Sequence, residues 1–328
     1  MPLPMNQTQD HEADDRFRSL LQKAVRRGHT HLVFTVSSLL ESVGPKEKNW
    51  LRKRAVIITL EECWPLGADL LFNKRFHSKV AALFRAARSR KHKDAAALAA
   101  LALAFSRGDR TVLHGEGEED RAVRLLAQAA RRPEDFWKWI RSQPLDARPR
   151  SLLDQAFRFR HIGKPSDRIF AQAAAYLAAT DGLPDTEDSQ PSPQDFPYWI
   201  ALDHHTRQGK FALKTIARDL HIDLAQLEWV FFHFASGVFH DPAPSFWWDR
   251  YVRWRFAQVG IPQEEAHLLW EPAEQQLKEV LAEDAHRLHT EVYRWKMRNR
   301  ERIESLQTKV RLFIENREEI GRGQRTLF

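Results

Sequence analysis

Apolar residues along this chain recur every third or fourth position far more often than every second one, the spacing that lines one face of an α-helix. Phe17, Leu20, Leu21, Ala24 and Val25 form the first such stripe, and Gly28 closes it as a C-cap. A second helix is predicted over 31–43, stopped by Gly44-Pro45, and a third over 48–64, stopped by Pro65. Further helices are expected over 68–90, 94–105, 118–131, 133–142, 151–159 and 166–179. The run 95–104 is nearly solid Ala and Leu, which suits a helix packed on several sides. The most β-like stretch, 55–60, lies inside a longer helical pattern, so the predicted fold class is all-α.

The periodicity lapses over 181–197, where Pro184, Pro191 and Pro193 sit among Asp, Ser, Thr and Gln. This segment reads as a linker between two helical domains, a first at 15–180 and a second at 198–328, with 1–14 as a disordered tail. The second half holds seven of the eleven tryptophans. Its end, from about 272 to 319, reads as one long or once-broken helix with Leu277, Val280, Leu281, Leu288, Val292, Trp295, Ile303, Leu306, Val310 and Phe313 inward. A pattern that long suits a helix that crosses a domain or pairs with a partner, so a homo-oligomer is expected.

Charge divides at the same place. Residues 1–180 carry 32 Lys/Arg against 20 Asp/Glu, whereas 181–328 carry 19 against 24, within a total of +7. A basic half joined to an acidic half points to one face for a polyanion and another for a protein partner. Hydrophobic content of 43% and charged content of 29% are those of a folded globular protein. Cys63 is the single cysteine, which excludes an internal disulfide and any multi-cysteine zinc cluster. No run approaches the roughly 18–20 apolar residues that span a bilayer. The first 15 residues lack the apolar core of a signal peptide, so a cytoplasmic location without membrane contact is expected.

The segment 39–69, LLESVGPKEKNWLRKRAVIITLEECWPLGAD, carries a resemblance. Leu39-Leu40, Gly44, Trp50-Leu51, Arg54-Ala55, Glu61-Glu62 and Gly67-Ala68-Asp69, preceded by the basic helix end Arg26-Arg27-Gly28, resemble the C-terminal helical collar of clamp-loader-like AAA+ proteins, nearest the replication-associated RarA/MgsA group. The likeness covers about 15–107. That family carries its ATPase upstream, with a phosphate-binding loop. This chain has no G-x-x-x-x-G-K-[ST]. The resemblance therefore implies a collar without a motor, a helical scaffold in DNA replication or repair rather than an ATPase.

Three basic clusters, Arg26-Arg27, Arg52-Lys53-Arg54 and Arg85, Arg88, Arg90, Lys91 and Lys93, are candidate DNA-binding residues, because Arg and Lys neutralise phosphates in a sequence-independent, salt-dependent way. Cations at helix C-termini are also favoured by the helix dipole without any ligand. Residues 213–234 fit a helix-turn-helix template with His221 at the turn. The second helix offers Asp223, Gln226 and Glu228 but no Arg or Lys, which favours a packing unit over a groove reader. Asp203-His204-His205 looks like the metal-binding triplet of DHH phosphoesterases, though the strands and further Asp motifs of that family are missing, and capping of a turn is the favoured alternative. Trp247, Tyr251 and Trp254 share one helical face beside Arg250, Arg253 and Arg255, a strip that offers either stacking on unpaired bases or core packing, and in an acidic half packing is the favoured reading. Cys63 beside Trp64 reads as an inert small hydrophobe. No nucleophile motif such as G-x-S-x-G occurs, and no cofactor is implied. The leading expectation is a non-enzymatic accessory factor of bacterial or mobile-element DNA metabolism. A metal-dependent phosphoesterase centred on Asp203, His204 and His205, or a structural adaptor, are the alternatives.

Overall fold

The computed structural model describes residues 15–64, 70–71, 73–180, 189 and 195–325, and among these it contains fourteen α-helices and no strand, as the all-α expectation requires. The expected tail at 1–14, nearly all of the linker at 181–197 and the Gly67-Ala68-Asp69 turn lie outside the described residues. In α1 (Asp15–Arg26) the predicted stripe buries Leu20, Leu21, Ala24 and Val25. Gly28 follows at φ +75°, the left-handed conformation expected of a residue that ends a helix. Gly44-Pro45 stops α2 (Thr30–Val43) as expected but also opens α3 (Pro45–Cys63), since proline suits the first helical turn. The run 55–60 lies within α3, its β-branched residues wholly buried.

α4 (Phe76–Arg88) begins later than the predicted residue 68, because Leu70 and Leu71 form a short turn rather than its first turn. α5 (Asp94–Ser106), α6 (Glu118–Arg131), α7 (Pro133–Ser142), α8 (Ala147–Arg158) and α9 (Pro165–Thr180) then follow close to their predicted bounds. After a 3-10 turn at Tyr198–Ala201 come α10 (Arg207–Asp219), α11 (Leu224–Phe231) with a π-helical turn at Phe232–Ser236, and α12 (Phe246–Gln258). The predicted terminal helix is two: α13 (Ala266–Arg298), about 50 Å long at 1.5 Å per residue, and α14 (Arg300–Arg325), broken at Asn299.

The first four helices pack together, and α3 leans on α5 and α9, which join α6, α7 and α8 in a second group. The second half inserts into both. α12 packs on the Ala/Leu-rich α5, where small side chains let helices approach closely, and α14 returns to cover α2 and α4. α13 runs along α10 and α11 and touches α2. Buried apolar residues from Leu20 to Val310 accordingly form one contiguous cluster that spans both halves. Most of the expected terminal stripe is covered within the chain: Leu277, Leu281, Leu288, Val292, Ile303, Leu306 and Val310 are buried and Trp295 and Phe313 half-buried, whereas Val280, expected inward, is exposed because it lies off the line of contact. Ion pairs stitch the halves in both directions. Arg16 meets Glu291 at 3.0 Å, Arg90 meets Asp241 at 3.3 Å and Arg302 meets Glu41 at 3.2 Å, while Lys23 pairs with Asp203 and Arg250 with Asp120.

Candidate nucleic-acid interface

Three of the ten basic residues read as DNA-facing are corrected by their burial. Arg26, Lys91 and Lys93 expose 5%, 1% and 4% of their surface. Arg26 grips the fully buried Glu62 carboxylate through Nη2 at 2.7 Å and Nε at 3.0 Å, and Lys93 approaches the same carboxylate at 2.7 Å. Burial pushes the Glu62 carboxyl up, but Arg26 and Lys93 together pull it down to about 2. Burial lowers the Lys93 ammonium to about 8, with Glu62 resisting. The Lys91 ammonium donates to the carbonyls of Ala86, Ala87 and Ser89 at 2.8, 3.1 and 2.6 Å, closing the negative end of α4. Arg26 and Arg27 donate to the carbonyls of Ser236 and Ala235, both at 2.8 Å, at the C-terminal end of the π-turn. These residues lock the segment after the π-turn in place: His240 N–H donates to Arg26 O and Ala243 N–H to Lys91 O. Of the rest of that group, Arg85 and Arg90 are half-buried and Arg88 is exposed.

Asp203, His204 and His205 do come together, with one donor atom of each within 4.8 Å of the others. The geometry is that of a capped turn. Asp203 Oδ1 accepts the His205 N–H at 3.0 Å and faces His205 Nδ1 at 3.2 Å, while Oδ2 holds the Lys23 ammonium. Burial would raise the Asp203 carboxyl, yet Lys23, and then His205, hold it well below the usual carboxylate range. Burial keeps His204 largely uncharged, lowered to about 4. Thr206 caps α10, its hydroxyl accepting from Gly209 N–H at 3.0 Å. The backbone crosses so closely here that a Cβ at Gly209 would stand 2.1 Å from the Asp203 carbonyl oxygen. A buried ammonium already on the carboxylate makes this donor set a poor fit for a divalent cation.

The third cluster has a different setting. Arg52, Lys53 and Arg54 lie on the outward face of α3 and line a cleft of about 820 Å³, with α1 on one side and the turn between α8 and α9 on the other. Arg18, Lys23, Lys79 and Lys164 join them, with His161 and His205, against only two lining carboxylates, Asp15 and Asp167. Some of this charge is answered internally. Arg18 is held by Glu47 at 2.8 and 3.0 Å and by Asp15 at 3.1 Å, and Arg54 by Glu61 at 3.4 Å. Arg52, Lys53, Lys79 and Lys164 have no carboxylate partner among the described residues; Lys79 donates to the Leu71 carbonyl instead. Burial, and then the neighbouring Arg52 guanidinium, lower the pKa of Lys79. Trp50 lines the cleft, half-buried, with the Arg18 guanidinium 5.2 Å from its ring centre. Gly163 at φ +81° shapes the far wall, where Asp167 accepts the Lys164 N–H at 2.8 Å.

Sequence reasoning found Arg52, Lys53 and Arg54 but missed Trp50, Lys79 and Lys164, which reach the cleft from separate elements. The only forward signal was the basic, glycine-containing turn 161–164. The other constellations resolve as packing. α10 and α11 form the helix-turn-helix arrangement with His221 at φ +55° in the turn, but both pack on α13, and Gln226 is engaged with the Val259 carbonyl at 2.9 Å. Trp247 is buried where α12 meets α5, and Tyr251 packs edge-on to Trp229 at 5.7 Å. Cys63 is fully buried and its thiol is pushed up by that burial. No described helix is long and apolar enough to cross a membrane. No protein-family model, curated protein or solved structure matches the chain.

Proposed function

We propose that this chain is a non-enzymatic accessory factor that binds DNA through the cleft between α1, α3 and the α8–α9 turn. The observation that carries the reading is the convergence on a concave surface of Arg52, Lys53, Lys79 and Lys164, which have no carboxylate partner among the described residues. Backbone phosphates are the ligand such an array neutralises, and they are neutralised without regard to sequence. The resemblance of 15–107 to a clamp-loader collar gives the proposal its setting in DNA replication or repair. A protein partner on the second half is part of the same proposal: Phe211, Phe246, Leu268, Tyr293, Met297 and Leu312, all in that half, are large apolar side chains roughly half or more exposed.

The test is fluorescence anisotropy of labelled DNA with the full chain across a salt series. Four phosphate contacts predict a log–log salt slope of about −3.6 on a duplex or about −2.8 on a single strand, and R52A/K53A should weaken binding and roughly halve the slope. No binding at low salt would overturn the proposal. Binding unaffected by R52A/K53A but weakened by R85A/R88A would move the interface to the end of α4.

A further inference from the structure

We infer that the cleft takes an unpaired DNA strand and that the Trp50 indole is its stacking platform, a step that rests on the DNA-binding reading above. The cleft is not lined by cations alone. Trp50, half-buried, contributes aromatic surface between Arg18 and the Arg52–Arg54 cluster over the buried floor residues Val56 and Ile57, and His161 adds an exposed ring on the opposite wall. A duplex turns its bases inward and offers a convex rod of phosphates, whose grooves admit protein elements rather than entering a protein cleft. An apolar and aromatic lining inside a rim of cations gains nothing from such a rod. An unpaired strand presents phosphates and flat base faces together, which is what a basic groove with an aromatic side chain recognises.

The Arg18–Trp50 pair adds to this. Arg18 is fixed by three hydrogen bonds to Glu47 and Asp15, so the guanidinium beside the indole is held in place before any ligand arrives. A base entering beside Trp50 meets a ring and a planar cation whose orientations are already set. The volume of about 820 Å³ is that of a pocket for a small ligand, matching a few nucleotides rather than a double helix.

The experiment compares anisotropy of labelled single-stranded DNA of about 12 nucleotides with the same sequence as a duplex, using the full chain and W50A, W50F and R52A/K53A. The expected result is preference for the single strand, a roughly tenfold loss for W50A on the single strand alone, and retention by W50F. R52A/K53A should weaken both ligands. Equal affinity for both forms, with W50A neutral, would overturn the stacking inference and leave the DNA-binding reading standing. Absence of binding to either form would overturn both, and inorganic polyphosphate binding as tightly as the single strand would show a general polyanion site and overturn the inference. Should W50A fail to fold, photocrosslinking of an oligonucleotide bearing 5-iododeoxyuridine to the unaltered chain decides the matter. Adducts at Trp50 or His161 support the inference, and adducts only outside the cleft overturn it.

Discussion

Glu62→Gln should be among the most damaging isosteric changes available in this chain. Glu62 is fully buried at the end of α3, where its carboxylate is shared by Arg26 and Lys93. Glutamine keeps the shape, removes the charge and leaves two cations side by side without an anion between them. Removing one member of a buried ion pair costs about 3–5 kcal/mol. The depression of the carboxyl from 4.5 to about 2 corresponds independently to roughly 3 kcal/mol of preference for the ionised form. The carboxyl is depressed on folding, so its stabilisation is complete above pH 4.5 and is lost as pH falls through about 2. Lys93, lowered to about 8, loses its proton on the alkaline side and then no longer needs Glu62. The deficit of E62Q relative to the unaltered protein, measured by urea denaturation at several pH values, should therefore peak near neutrality and shrink in both acid and alkali. K93M should cost less than E62Q, because Arg26 still neutralises Glu62. A deficit below about 1 kcal/mol at pH 7, or one independent of pH, would refute the electrostatic account.

The buried Asp120–Arg250 pair joins α6 to α12 and makes a similar, asymmetric prediction. D120A strands a guanidinium whose remaining acceptor is the Val112 carbonyl at 2.7 Å, whereas R250M leaves Asp120 with the His114 N–H at 3.0 Å. Denaturation should show D120A as the worse of the two, at about 3–5 kcal/mol; the reverse order would be contrary evidence. Gly209→Ala, whose Cβ would meet the Asp203 and Leu202 carbonyl oxygens at 2.1 and 2.3 Å, should lower stability by about 3 kcal/mol or more. Gly115→Ala, with only an Asp120 oxygen at 4.0 Å, should stay within about 0.5 kcal/mol; comparable thermal midpoints for the two would contradict the packing.

Helices were legible because each buries one stripe of a regular period. α6 and α7 match their predicted bounds to the residue, each opened by acidic residues and closed near a cation. The start of α4 was not legible, because Leu70 and Leu71 continue the apolar period through a turn that breaks it. The roles of the basic residues were less legible still. Lys91-His92-Lys93 reads as a solvated run, and nothing local says that a chain segment 150 residues later will cover it; Lys91 N–H bonds to Asp241 O across that distance. Glu62, an acid among Val56, Ile57, Ile58, Leu60 and Cys63, was the overlooked sign, since a carboxylate in an apolar helix requires buried cations.

The division of charge along the chain thus has two physical outlets. Part of the first half's surplus is spent internally: Arg16, Lys23 and Arg90 meet carboxylates of the second half, and Arg26 and Arg27 cap carbonyls of its π-turn. The remainder gathers on the outward face of α3 and the turn before α9, where Arg52, Lys53, Lys79 and Lys164 meet no carboxylate among the described residues. α1 serves both ends of that arrangement. Its helical period sends Arg18 and Gln22 to the cleft and Arg26 into the ion network, while Lys23, which lines the cleft, is anchored to Asp203. A surface that must hold phosphates without reorganising needs cations on a fixed backbone. The buried pairs behind the cleft wall supply that fixity: along one stripe of α1, spaced by four residues, Arg18 and Gln22 border the cleft while Arg26 is locked on Glu62 at the helix end.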